Sequence, residues 1–275
     1  MAVPGILKYA FIWILPLVSA LTWLGMLLTM LVVWEVEGHP HYASMSANQD
    51  IAYISDIGAQ GLKPLFIAGC CVTTVFLDLS FASERWLRHT GRLAKNLGTA
   101  EKVLSALSVA FAVAGTAGLI LLSIFDTLHH PRLHDGFLLL FIAGYVISAI
   151  FVCAEYQRLG IHFREHFILR FSFWAKLTFI LVEIALAIVF ASTMFTKQQN
   201  VAAVFEWVIA LIFTFYVLTF FVDLLPAARD TQMRTNVERL HMRDVENGNG
   251  HINGNGVSDG TVNGANAHYK TPRNF

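Results

Sequence analysis

The chain has 275 residues, 56% of them hydrophobic and 14% charged, with 19 basic side chains set against 19 acidic ones. Soluble domains carry about 25% charged residues, so this composition excludes an ordinary water-facing globule. A formal net charge of zero supplies no global basic field, and no nucleic-acid partner is expected.

One lysine, Lys8, precedes the first apolar run. That run is about twice as long as a signal-peptide core and lacks a small-residue cleavage site, so it is read as a retained span. Crossing a hydrocarbon layer takes about 20 helical residues. Six segments qualify: roughly Tyr9–Trp34, Pro64–Trp86, Val103–Phe125, Phe137–Tyr156, Phe173–Phe195 and Val201–Leu225. Lipid cannot satisfy open backbone groups, so each is expected to be a helix, and the runs do not alternate as barrel strands would. The expected fold is all-α, a polytopic bundle of six transmembrane helices over residues 1–226, followed by a mostly disordered cytosolic tail over 227–275. Within that tail, Ala227 to about Glu246 is charged enough for a short surface helix. From Asn247 to Asn266, Asn and Gly dominate and cannot build a core.

Basic residues set the orientation. Sixteen of the 19 Lys and Arg fall in the N-terminal segment, the second and fourth connections and the tail, against Lys63, Arg132 and Lys197 in the others. By the positive-inside rule both termini are cytosolic. Trp34 and Trp207 near outer boundaries, and Trp86 and Trp174 near inner ones, fit an aromatic belt. In the third span Ala106, Ala110, Ala114 and Gly118 recur every four residues, a stripe that lets helix backbones approach. Gly144 and Ser148 on the fourth span offer it a partner. Cys70, Cys71 and Cys153 lie in apolar stretches with no metal-site spacing and read as packing residues.

Ionisable residues inside a span are costly unless paired or lining a cavity. Glu183 sits near the middle of the fifth span, seven residues after Lys176, while Asp78, Glu155, Arg158 and Asp223 lie towards the inner helix ends. Those four are read either as an inner ring of ion pairs or as a lipid-headgroup or ion pocket, and Glu183 as protonated or bonded to a neighbouring helix. The basic stretches holding Arg85, Arg88, Arg92 and Lys95, and then Arg158 and Arg164, suit contact with anionic lipid or a partner as well as setting topology. The outer loops carry His39, His41, Asp50 and Asp56, then Asp126, His129, His130, His134 and Asp135. Imidazole with carboxylate suits zinc and titrates near neutrality, yet Pro131 interrupts the spacing. No metal or cofactor is assigned, and a pH-sensitive polar cap or plain loop structure stand beside the metal reading. No nucleophile–base pair or nucleotide fingerprint occurs.

The six spans, Ile54-Ser55-Asp56, Phe125-Asp126 with His129 and His134, and Glu155-Tyr156 followed by Arg158-Leu159-Gly160 together resemble the FRAG/DRAM/SFK membrane family, over about Leu7 to Leu225. The resemblance implies one of three roles. An SFK-like member acts at the plasma membrane in lipid asymmetry and in recruiting a phosphatidylinositol 4-kinase complex. An autophagy modulator sits in lysosomal or vacuolar membranes, and a FRAG-like member takes part in remodelling the lipid of GPI anchors. The Asn/Gly tail and basic loops favour the SFK-like role: a non-enzymatic scaffold touching membrane lipids, phosphoinositides among them. The alternative is a lipid-remodelling factor using Asp56, Asp126, His129 and His134.

Overall fold

The structure, a computed structural model, describes residues 11–90, 93, 98–162 and 167–249. It comprises α1 (Ile14–Val36), α2 (Ile54–Gly58), α3 (Lys63–His89), α4 (Thr99–Ile124), α5 (Pro131–His162), α6 (Phe167–Phe195) and α7 (Gln199–Asn249). All but the short α2 are long and apolar enough to cross a membrane. The protein is an integral membrane protein built as a six-span helical bundle.

Local chemistry sets the helix ends. Pro64 and Pro131 stand in the first turns of α3 and α5, where a missing N–H costs nothing. Glu101 Oε2 accepts from Gly98 N at 3.1 Å and closes the start of α4. α1 ends where Gly38 adopts φ +77° and His39 N donates back to the Trp34 carbonyl, the left-handed termination that glycine favours. α7 runs unbroken past Pro226 to Asn249, so the short surface helix expected over 227–246 is a continuation of the last span. Beyond 249 the expected disordered stretch lies outside the described residues.

Each span packs on its neighbour in sequence, and α1 also packs on α7, closing a ring. Short connections force antiparallel neighbours, so the start of α1 and the Leu225 end of the last span share one face. Arg85, Arg88, Lys102, Arg158, Arg170 and Lys176 gather at that basic end. The opposite, capped end is covered by residues 37–62, which include α2.

The tightest seam joins α4 and α5. A methyl on Gly144 would lie 2.6 Å from Gly115 N and 2.7 Å from its Cα, and Ser148 Oγ donates to the Ser108 carbonyl at 2.7 Å. Gly118 backs onto the Phe141 backbone. The expected stripe is therefore only partly right: Ala106 and Ala110 are exposed, and Gly118 alone of the four is buried. A four-residue repeat drifts about 40° per step around a 3.6-residue helix, so its ends cannot meet one neighbour, whereas Ser108, Gly115 and Gly118 can.

At the basic end Trp86 and Trp174 are exposed, as the expected aromatic belt requires. The belt fails at the capped end, where Trp34 and Trp207 are buried. There Trp207 Nε1 donates to the Ala52 carbonyl at 3.0 Å, so that indole fastens the cap instead of facing lipid.

Candidate functional site

At the basic end, α3, α5, α6 and α7 bring together three acids and three bases. Glu84 Oε1 receives Arg88 Nη2 at 2.6 Å and the Tyr156 hydroxyl at 2.7 Å. Glu155 lies 3.5 Å from Arg85 Nη2 and 3.9 Å from Arg88 Nε. Lys176, fully buried, pairs with Asp223 and donates to Ser172 Oγ at 3.0 Å and Thr219 Oγ1 at 3.1 Å. Its ammonium stands 4.9 Å from the Tyr156 ring and 4.2 Å from the Phe220 ring, while the Arg88 guanidinium lies 5.0 Å from Tyr156. Each charge in this set finds the opposite sign in a place where isolation would cost several kcal/mol. Glu155, Lys176 and Asp223 thus take part in a ring of ion pairs at the basic end. Arg88 is only 5% exposed, so it serves this ring rather than the lipid or partner surface expected of it. Arg158 is exposed, and Arg92, Lys95 and Arg164 lie outside the described residues.

In the middle of the ring is a cavity of about 120 Å³ whose wall takes side chains from all seven helices. The wall is overwhelmingly apolar and aromatic, with Trp23, Phe141, Tyr145, Phe213 and Tyr216 among its residues. Into it face Glu183 of α6, Glu206 of α7 and His134 of α5. Glu183 Oε1 is buried and has no hydrogen-bond partner among the described residues, so Glu183 and Lys176, although on one helix, serve separate sites. Glu206 Oε2 accepts from Ile54 N at 2.7 Å and so steadies the first turn of α2. His134 Nδ1 lies 3.0 Å from the Leu122 carbonyl and 3.1 Å from that of Phe125. Carbonyls only accept, so Nδ1 carries the proton and Nε2 is left with a lone pair. Beside the cavity, the Tyr145 hydroxyl is 2.8 Å from Thr116 Oγ1, which in turn neighbours Asp78.

The Asp and His residues of the capped end do not assemble as one constellation. Asp56 Oδ2 accepts from Gln49 Nε2 at 2.9 Å and Tyr53 N at 3.1 Å, shaping the cap. Asp126 pairs with Lys63 and receives His129 N at 2.7 Å. Burial alone would raise the Asp126 carboxyl, but hydrogen bonds from Lys63 and His129 outweigh it and hold the group well below the usual carboxylate range. No hydrogen bond joins the Asp56 set to the Asp126 set among the described residues. The cap is tied to α7 by Asn200, whose Oδ1 accepts from Asp50 N at 2.7 Å and Ile51 N at 3.1 Å, and by Tyr53, whose hydroxyl donates to Gln199 Oε1 at 2.6 Å. Burial first, then the nearby Glu206 and Asp56 carboxylates, pushes the Tyr53 phenol up, so it remains a donor. Among the described residues no three of His, Cys, Asp and Glu are placed to share a metal ion.

The residues that sequence reading overlooked are Glu84, Glu206, Gln49 and Asn200. Glu84 was legible as an i,i+4 partner of Arg88. Glu206, an acid inside the last span, was legible by the same rule that singled out Glu183.

Residues 11–227 match the family model described as the Frag1/DRAM/Sfk1/Cwh43P N-terminal domain. The chain is 32% identical over 220 residues to "Protein sfk1" of Schizosaccharomyces pombe, covering 80% of this chain and 66% of that protein. It is also 32% identical over 181 residues to "Protein SFK1" of Saccharomyces cerevisiae, covering 55% of this chain and 51% of that one. It thus spans between half and about two thirds of the length of these relatives. No solved structure matches it.

Proposed function

The chain belongs to the Frag1/DRAM/Sfk1/Cwh43P family, and from that footing we propose that it is a non-catalytic membrane protein that organises lipids, holding the head of an amphiphile in its central cavity. The cavity carries this reading. Closely packed interiors leave few voids larger than a water, and an apolar cavity edged by a small number of polar groups is the usual form of a ligand site. The engagement of Asp56, Asp126 and His129 in bonds that hold the cap supports a binding role over a catalytic one. The test uses the purified full chain in nanodiscs. Lipid retained through purification is identified by native mass spectrometry in the wild type and in Ala187→Trp, which fills the cavity. Loss of a specific lipid in the variant is the expected result, and identical lipid in both would refute the proposal.

A second reading has its own support. The exposed Lys102, Arg158 and Arg170 at the basic end, with Arg92, Lys95 and Arg164 close by in sequence, would attract anionic lipid at about 1 kcal/mol per residue. In this reading the basic end faces the cytosol at the plasma membrane and anchors a phosphatidylinositol 4-kinase complex. Arg158→Glu with Arg170→Glu should release the kinase while the protein still inserts, and unchanged kinase localisation would reject it. If the protein instead remodels GPI-anchor lipid or modulates autophagy, His129→Ala should alter anchor composition, or a tagged chain should collect in vacuolar membranes.

A further inference from the structure

The cavity's charged inventory is one-sided. Three of its donors are engaged: Trp23 Nε1 donates to the Ala210 carbonyl at 2.8 Å, the proton on His134 Nδ1 faces two carbonyls, and the Tyr145 hydroxyl is paired with Thr116. The Ser55 and Tyr216 hydroxyls also line it. Two of its acceptors are not engaged. Glu183 Oε1 is buried without a partner among the described residues, and His134 Nε2 keeps its lone pair. Glu206 adds a second carboxylate from the adjoining helix. Among the described residues no lysine or arginine lines the cavity. The acceptors are also staggered in depth. Glu206 is seven residues from the start of α7 and Glu183 twelve from the end of α6, which at 1.5 Å per residue sets Glu183 about 8 Å deeper.

Such a wall selects its occupant by charge. A phosphate would meet two acidic side chains and, among the described residues, no lysine or arginine, which disfavours phospholipids and their lyso forms. A neutral sterol could give Glu183 one hydrogen bond but brings no positive charge to it. A protonated amine satisfies a carboxylate directly, and the rings of Phe141, Tyr145 and Phe213 offer the π faces on which ammonium groups settle. Hydroxyls next to that amine would answer the remaining staggered acceptors, and the first carbons of an alkyl chain match the apolar remainder, the rest of the chain leaving through the open side. Resting on the lipid-cavity reading above, we propose that the cavity binds a long-chain amino alcohol: a single-chain amphiphile with a protonated primary amine, neighbouring hydroxyls and no phosphate.

The experiment measures equilibrium binding of radiolabelled sphingosine to the full chain in nanodiscs. Competition follows with N-acetylsphingosine, which has the same chain and hydroxyls but no charge, with lysophosphatidylcholine, and with ergosterol. Saturable sphingosine binding is expected, with N-acetylsphingosine weaker by about tenfold or more, the size of a lost charge-assisted hydrogen bond. Glu183→Gln should weaken sphingosine by a similar factor and leave N-acetylsphingosine unchanged. Because Glu183 bonds no described protein group, this variant should melt with the wild type. Glu206→Gln, which also touches α2, is read only if its melting is unchanged, and Glu183→Gln decides the question alone. Equal affinity for sphingosine and its N-acetyl form, or wild-type sphingosine binding by Glu183→Gln, overturns the amine assignment. If ergosterol or lysophosphatidylcholine binds saturably and sphingosine does not, the ligand class is wrong and the lipid cavity stands. If none of the four binds, both fail.

Discussion

Replacing Lys176 by Met removes a positive charge from the most crowded point of the basic end and leaves Asp223 buried with Ser172 as its remaining partner. Breaking one side of a buried pair costs about 3–5 kcal/mol. The two rings at 4.9 and 4.2 Å lose cation–π contacts of about 0.5–2 kcal/mol each, which places the expected loss in the upper half of that range. Much of it reflects an orphaned carboxylate rather than a missing attraction. The double variant Lys176→Met, Asp223→Leu should therefore recover stability to within about 1–2 kcal/mol of wild type, since apolar replacements for buried pairs are often neutral. Reversible unfolding in mixed micelles, titrated with SDS, measures all four corners of this cycle. A coupling of about 2 kcal/mol or more is expected between the two sites. Single and double costs that simply add, or a Lys176→Met variant as stable as wild type, would refute the reading of this cluster as a charge-matched lock.

Other consequences are smaller or more local. Gly144→Ala sets a methyl against the Gly115 backbone at 2.6 Å, an overpacking cost of about 1–3 kcal/mol, while Ala110→Leu on the exposed face of α4 should leave the same SDS midpoint unmoved. Asp126→Asn should lower the melting temperature at neutral pH. Because the folded carboxyl is held below its usual value, its contribution is complete above the unfolded pKa of about 3.9 and fades as pH falls through the folded one. The gap between variant and wild type should thus persist at pH 5 and close in stronger acid. Trp207→Phe removes the hydrogen bond to the Ala52 carbonyl, about 1 kcal/mol, and should speed proteolysis within residues 37–62 without changing the SDS midpoint of the bundle.

The spans were legible because hydropathy responds to a strong constraint: no backbone polar group goes unpaired in lipid. Helix ends shifted by only a few residues, with α5 starting at Pro131 and α3 at Lys63. What sequence could not supply was azimuth. Ala106 and Ala110 looked like a packing stripe because their spacing is regular, yet the face that packs is chosen by the neighbour, and α5 offers Gly144 to Gly115. Trp34 and Trp207 looked like belt residues because they stand at span ends, but a connection that folds back over the bundle turns such an end into interior. Lys176 and Glu183 share a helix, seven residues apart. The true partner of Lys176, Asp223, is 47 residues away, and nothing in sequence spacing ranks it above other acids. The cavity was invisible for the same reason, since its residues come from every helix and no single segment carries its pattern.

The ion-pair cluster and the cavity treat charge in opposite ways, and the contrast bears on function. At the basic end, Glu84, Glu155 and Asp223 are each matched to a cation on a neighbouring turn or helix. That end gains definite register at little net cost. A carboxylate such as Glu183, set between the same helices but facing a void with an oxygen unmatched among the described residues, gives the bundle no stability that an apolar residue could not give better. Its place is understandable if what completes it comes from outside the chain. The staggered acceptors and the aromatic wall then describe that missing partner by its complement: positively charged at one point, rich in donors beside it, and otherwise hydrocarbon.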